Sequence, residues 1–233
     1  MKELIEKTFK NYNILLTKDQ IDKFYIYFSF LIEENEKYNL TAIINPQEVI
    51  VKHFVDSVLP YKSIKKNSLV VDVGTGAGFP GIPLKIIRED INLTLVDSLQ
   101  KRINFLNQLI EKLNLNNVKT FHARVEDFCK TNREKFDYVI SRAVAPLPTL
   151  SEYMIPLTKI GGICLIYKSE KLDEELKISK HAITILGGKV EKIENFTLFE
   201  YKSTRKILFL RKLTHSNAKF PRQKNLPKLK PIL

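Results

Sequence analysis

The sequence predicts an α/β protein with a mostly parallel sheet and a late antiparallel hairpin. A helical extension over residues 1–60 precedes the sheet, and a basic C-terminal arm over residues 214–233 follows it. Three observations lead there. Apolar runs alternate with helical periodicities from Leu69 onward. The first 60 residues carry helix signals alone. The net charge of +12 gathers at the C-terminal end. Residues 61–213 form the central domain.

The elements follow in order. Thr17-Lys-Asp-Gln20 is a capping box, Thr followed three residues later by Gln. Behind it Ile21, Phe24, Phe28, Leu31 and Ile32 recur at helical spacing, predicting a helix to about Tyr38. Asn45-Pro46 starts another, with Asn as N-cap and Pro in the first turn. Strands are expected at Leu69–Val73, Leu93–Val96, Tyr138–Ile140 and Ile163–Tyr167, with a further strand ending in "FHARVEDF" (121–128). A crossover helix is expected at Leu99–Leu113, its apolar face formed by Leu99, Ile103, Leu106, Leu109, Ile110 and Leu113. Lys189–Leu198 and Arg205–Leu210 follow each other with no helix between, which suggests an antiparallel pair on one edge.

Composition narrows the setting. At 233 residues and 44% apolar, the chain can bury a sizeable core in one domain, or one domain with an appendage. It has no apolar run long enough to span a membrane, and its charged N-terminus lacks a signal-peptide core. Cys129 and Cys164 lie far from any CxxC pattern. Neither a disulfide framework nor a metal site is expected, and a cytoplasmic location fits. Both are expected as small buried hydrophobes.

From Lys202 onward there are ten Lys or Arg and no acid, so the rest holds 28 basic residues (38 minus 10) against 26 acidic ones. A near-neutral body with a basic end points to a polyanion, and nucleic acid is the expected partner. The candidate contacts are Lys219, Arg222, Lys224, Lys228 and Lys230. Phe220, Leu226, Leu229 and Ile232 stand among them, and a solubility tail needs no such anchors. The prolines there discourage a regular helix and suggest an extended path across phosphates.

The stretch "VVDVGTGAGFPGIPL" (70–84) places a glycine loop after a strand. A phosphate-binding P-loop needs Lys and Ser/Thr after its second glycine; after Gly81 come Ile82 and Pro83. Gly76-Ala-Gly78-Phe-Pro-Gly81 fits the dinucleotide spacing, but Phe79-Pro80 puts bulk where a pyrophosphate would press. Asp72 within the strand, before Gly74, Gly76 and Gly78, resembles the first motif of S-adenosylmethionine-dependent methyltransferases. The element order likewise resembles the class I (Rossmann-like) methyltransferase fold. Asp97 ends "LTLVDS", where a carboxylate can hold ribose hydroxyls. Its alternative role is an N-cap, which Ser98 could also fill. Val125 and Glu126 are placed beside an adenine. Ser141-Arg142 ends the fourth strand, the usual place for the chemistry. The Asn/Asp-Pro-Pro-aromatic motif of amino-methylating enzymes is missing there, as is a cysteine nucleophile beside a proline.

"YNLTAI" (38–43), "KHFVDS" (52–57), "DVGTGAGFPGIPL" (72–84), "VDSLQKRINFL" (96–106), "ARVEDF" (123–128), "ISRAVAPL" (140–147) and "KFPRQKNLPKLKPI" (219–232) together resemble one family. It is the bacterial 16S rRNA (guanine-N7)-methyltransferases, the glucose-inhibited division protein B family. The resemblance implies methyl transfer from S-adenosylmethionine to N7 of a guanine in the 530 loop of 16S rRNA, position 527 in standard rRNA numbering. The substrate partner would be 16S rRNA or the small ribosomal subunit, and no coiled-coil heptads argue against a monomer. Family likeness puts ligand contacts on Gly74, Phe79, Val125, Glu126 and Arg142, with Arg142 the catalytic candidate. Arg142 could orient the guanine or fix the cofactor carboxylate. The glycine motif adds Asp72, Gly76 and Gly78; fold logic adds Asp97. Two residues depart from the family pattern: Asn225 and Ser169 stand where glycine is usual. Asn tolerates a left-handed backbone, so the first turn can survive.

Other features read as structural. His53, Asp56 and Ser57 invite a hydrolase relay, but packing of the helical cap is the better reading. Asn39 and Thr41 read as caps or turns, with a place beside the cofactor edge as the alternative, and Lys101-Arg102 as a solvated helix face. Two other functions remain open at this point: an NAD(P)-dependent oxidoreductase, and a non-catalytic RNA-binding protein on a methyltransferase scaffold.

Overall fold

The computed structural model describes residues 1–233. Helices α1 (Lys2–Asn11) and α2 (Lys18–Tyr38) open the chain, and α2 begins on the capping box. Thr17 Oγ1 accepts from Gln20 N, and Gln20 Oε1 accepts from Thr17 N. Asn45 caps α3 (Pro46–Glu48), which runs into a π-helical stretch, Val49–Val55, and then α4 (Asp56–Val58). An aromatic chain fastens this extension to the body: Phe9 to Phe24 (4.8 Å), Phe24 to Phe54 (5.0 Å), Tyr27 to Phe54 (5.1 Å) and Tyr27 to Phe79 (5.3 Å) between ring centroids. Phe24, Tyr27 and Leu31 are fully buried, each contributing roughly 1.5–3 kcal/mol of apolar burial.

The body alternates β1 (Leu69–Val73), α5 (Gly81–Ile87), β2 (Asn92–Asp97), α6 (Gln100–Lys112), β3 (Val118–His122), α7 (Val125–Asn132), β4 (Phe136–Arg142), α8 (Leu147–Met154), β5 (Thr158–Lys168) and α9 (Leu172–Ile185). The hairpin β6 (Gly188–Leu198) and β7 (Ser203–Lys212) completes the sheet, and α10 (Leu226–Leu229) lies near the end. Strand order is β3-β2-β1-β4-β5-β7-β6, all parallel except β7, which runs antiparallel to both β5 and β6. The order reverses between β1 and β4. In an open α/β sheet ligands bind at that switch point, beyond the carboxyl ends of the strands. The sheet is covered on both faces. α1, α2, the π-helical stretch and α6 bury one; α8, α9 and Phe220 bury the other.

Three expectations change. Leu99 is the N-cap of α6 and 43% exposed, so it leaves the apolar face. β3 stops at His122, and Val125-Glu126 open α7 instead of closing a strand. The C-terminal segment is not extended. Phe220 is buried in the apolar cluster on that second face of the sheet, and Arg133 donates to the carbonyls of Ser216, Asn217 and Phe220. Pro227 sits in the first turn of α10, where a missing N–H costs nothing. Asn225 does take the left-handed conformation, φ +60°. Cys129 and Cys164 are buried free thiols, raised by burial to about 11 and about 12.

Candidate active site

The glycine loop turns from β1 into α5. Gly76 and Gly78 have φ of +61° and +99°. A Cβ on Gly78 would stand 2.8 Å from both the Tyr27 hydroxyl and Ile82, so only glycine fits there. Tyr27 in turn donates to the Ala77 carbonyl at 2.6 Å, tying the loop to α2. Asp72 lies behind the loop, fully buried. Its Oδ2 accepts from Thr75 Oγ1 and Gly81 N, both at 2.8 Å, while Oδ1 has no partner. Burial pushes its carboxyl up to about 7 against those two hydrogen bonds. Asp72 and Gly78 line neither of the cavities described next. Their place is in the frame of the loop, because Oδ2 of the carboxylate holds Thr75 and Gly81 and the glycine packs against Tyr27.

Two cavities meet at the strand ends, sharing Gly74, Arg102 and Ala143. The first, about 430 Å³, lies over β2 and α7 and is walled by Asp97, Val125, Glu126, Ala145, Pro146 and Tyr153. Asp97 Oδ2 accepts from Gly76 N (2.9 Å) and Arg102 Nη1 (3.1 Å), and Oδ1 from Leu99 N (3.0 Å). Asp97 thus steadies the start of α6 as well as facing the cavity. A carboxylate has about four acceptor sites, so ligand hydroxyls can still reach it. Arg102, expected on a solvated face, instead stands at the junction of the two cavities.

The second cavity, about 580 Å³, lies over β4 and β5 under the helical extension. Arg142 reaches into its wall. Its Nη1 donates to Asp56 Oδ2 at 2.7 Å and to the Lys52 carbonyl at 3.2 Å. Arg205 Nε lies 3.2 Å from Asp56 Oδ1, so one buried carboxylate bridges two guanidinium groups. The Arg142 guanidinium sits 5.2 Å from the centroid of Phe79, whose ring stacks on His53 at 4.5 Å. Burial, helped by Arg142, lowers His53 to about 3, so the imidazole is neutral. Its Nδ1 faces Arg142 Nη2 at 3.5 Å, which leaves the proton on Nε2 to donate to Thr41 Oγ1 at 2.8 Å. Ser57 donates to the His53 backbone carbonyl, not to its ring. No nucleophilic relay exists among these three.

The expected site residues thus sort by place. Gly74 borders both cavities, Asp97, Val125 and Glu126 the first, and Gly76, Phe79 and Arg142 the second. Arg222 is drawn away from any phosphate role: it makes a bidentate pair with Glu152, which is fully buried. Lys219, Lys224, Lys228 and Lys230 are exposed, and Asn225 and Lys228 reach the rim of the first cavity. Thr41 takes its alternative place, on the wall of the second cavity, while the sequence reading missed His53, Asp56, Arg102, Lys168, Glu175 and Arg205 as cavity residues. The only signal for the first two was that they fell inside "KHFVDS".

The family model for GidB, rRNA small subunit methyltransferase G, matches residues 20–202. The chain belongs to this family. A ribosomal RNA small subunit methyltransferase G from Desulforamulus reducens is 48% identical over 93% of this chain and 92% of its own. One from Acetivibrio thermocellus is 43% identical over 100% and 97%. Membership in the small-subunit rRNA methyltransferase family accords with the fold of solved structures. TYW2 of P. horikoshii in complex with MeSAdo aligns at TM-score 0.57 and 20% identity, covering 68% of this chain and 62% of that one. A SAM-dependent methyltransferase from Aquifex aeolicus aligns at TM-score 0.57 and 18% identity, covering 77% and 97%. No cluster of three or more His, Cys, Asp or Glu side chains could hold a metal ion, and no helix is long and apolar enough to cross a membrane.

Proposed function

We propose that the protein transfers the methyl group of S-adenosylmethionine to N7 of a guanine in the 530 loop of 16S rRNA, working on small-subunit RNA in the cytoplasm. The observation that carries this reading is the pair of cavities meeting at Gly74, Arg102 and Ala143. One suits an adenosyl group: apolar walls from Val125, Pro146 and Tyr153, with the Asp97 carboxylate at the end of β2. On the second cavity's wall, near the junction, a Cβ on Gly76 would meet no protein atom within 4 Å, so the loop leaves room there for the methionine end of the donor. The other cavity carries Lys52, Arg102, Arg142, Lys168 and Arg205, a wall suited to a nucleotide.

S-adenosylmethionine, when bound, supplies a methyl group on a sulfonium, ready for transfer to a lone pair. Guanine N7 has such a lone pair and no proton. The reaction therefore asks the protein for alignment and electrostatics, not for a base. His53 fits that demand, being neutral and committed to Thr41. Phe79, buried and stacked on both His53 and Tyr27, holds the imidazole in place. Methylation leaves the base positive, and bare cations beside it would oppose that. Asp56 offsets Arg142 and Arg205, and Glu175 offsets Lys168.

The oxidoreductase alternative loses its phosphate site. The N-terminus of α5, where a pyrophosphate would sit, already gives Gly81 N to the Asp72 carboxylate. Incubation of small subunits from a deletion strain with labelled S-adenosylmethionine, followed by mapping of the modified base, tests the proposal. Label on N7 of one guanine in the 530 loop is expected. Label on another base, or none, overturns it.

A further inference from the structure

The second cavity is also lined by Lys168, at the end of β5, and Glu175, in α9. Lys168 Nζ donates to the Ala145 carbonyl at 2.9 Å and to Glu175 Oε2 at 2.7 Å. Glu175 Oε2 also accepts from Leu147 N at 2.5 Å. Every protein donor thus falls on Oε2, and Oε1 takes none. An ammonium has three donors, so Lys168 keeps one. Both side chains are largely sheltered, 11% and 23% exposed. The cavity wall therefore presents a spare donor next to a spare acceptor.

A guanine offers the complement. Around its ring N7 is followed by the O6 acceptor, then the N1–H donor. Lys168 is bonded to the loop holding Ala143, at the junction where N7 must meet the methyl group, and Glu175 lies next to Lys168. Adenine reverses the pattern: its N6 amine would face the ammonium, and its N1 lone pair would face the carboxylate. Both meetings are repulsive, and a sheltered site built for hydrogen bonds rejects such a mismatch strongly. We infer that Lys168 and Glu175 read O6 and N1–H of the methylated purine, selecting guanine over adenine. This inference rests on the N7 reading above.

The test uses the full chain and small subunits assembled around 16S rRNA carrying guanosine, inosine or adenosine at the target. The wild type should methylate inosine nearly as well as guanosine, since both keep O6 and N1–H, and should reject adenosine at least a hundredfold. Glu175→Gln keeps an oxygen for Leu147 and Lys168 but turns the free acceptor into a donor that suits adenine N1. Its guanosine-to-adenosine rate ratio should fall at least tenfold. If Glu175 only braces the loop, both rates fall together and the ratio stays, which overturns the inference. So does a wild type that rejects inosine as strongly as adenosine. Circular-dichroism melts and donor affinity show whether the variant is folded; should it not fold, Lys168→Met, which removes the O6 donor, must lower the same ratio. Should no purine N7 be methylated at all, it is the functional reading that falls.

Discussion

His53 holds its proton off because it is buried beside a guanidinium, and this has a sign. Its folded value, about 3, lies below the ordinary 6.5, so as pH falls the unfolded chain takes up the proton first. The residue contributes stability above about pH 6.5 that is lost on the way down to about 3. Thermal melts of His53→Gln should therefore show a shallower loss of stability between pH 7 and 5 than the wild type. The methylation rate of the wild type should show no step near pH 6.5; a step there would mean His53 titrates in the working enzyme. Asp72 has the opposite sign. Its carboxyl, raised from 3.8 to about 7, subtracts stability as pH rises through that window. Asp72→Asn should melt higher than the wild type at pH 8, by roughly 1–3 kcal/mol, and not at pH 4. At this scale the glycine loop and Asp97 were legible because a local motif fixes both. Asp56, Arg102 and Glu175 were not, because each acquires its meaning from a partner brought up by another element.

Elements were legible wherever burial sets a period. β1 came out to the residue, and α2 to its last turn. β4 and β5 run longer than their apolar cores, since a ladder pairs backbone regardless of what the flanking side chains are. β3 is mostly exposed on the sheet edge and so carries little apolar signal. The glycine loop, lying between β1 and α5, allows a paired experiment. Gly78→Ala meets Tyr27 and Ile82 at a positive φ and should cost about 2–4 kcal/mol of stability. Gly76→Ala meets no protein atom and should cost only about 1–2 kcal/mol, for the positive φ, yet weaken donor binding by tenfold or more. Calorimetry and melts of the two side by side check this; equal donor affinity in Gly76→Ala and wild type would place the ligand elsewhere.

For the molecule as a whole, the basic end was visible as charge but not as architecture. Arg222 pairs with Glu152, 70 residues upstream, and Arg133 grips carbonyls more than 80 residues downstream. No local pattern encodes such contacts. They split the basic residues into two kinds. Arg222→Ala should destabilise the fold by about 3 kcal/mol, because Glu152 is left buried without a counter-charge, its one remaining donor the backbone N–H of residue 222. Alanine at Lys219, Lys224, Lys228 and Lys230 should leave the melt unchanged. It should lower the salt slope of RNA binding by about 0.7 for each lysine that meets a phosphate of single-stranded RNA. Filter binding across a salt series separates the two; an unaltered slope would make the lysines mere surface.

The two cavities share three residues but otherwise have separate walls. Filling one therefore leaves most of the other's wall free. The kinetic scheme that follows is random addition through a ternary complex, with no compulsory first substrate. Double-reciprocal plots at several fixed RNA concentrations should intersect. The demethylated product of the donor should compete with the donor and act as a noncompetitive inhibitor toward RNA.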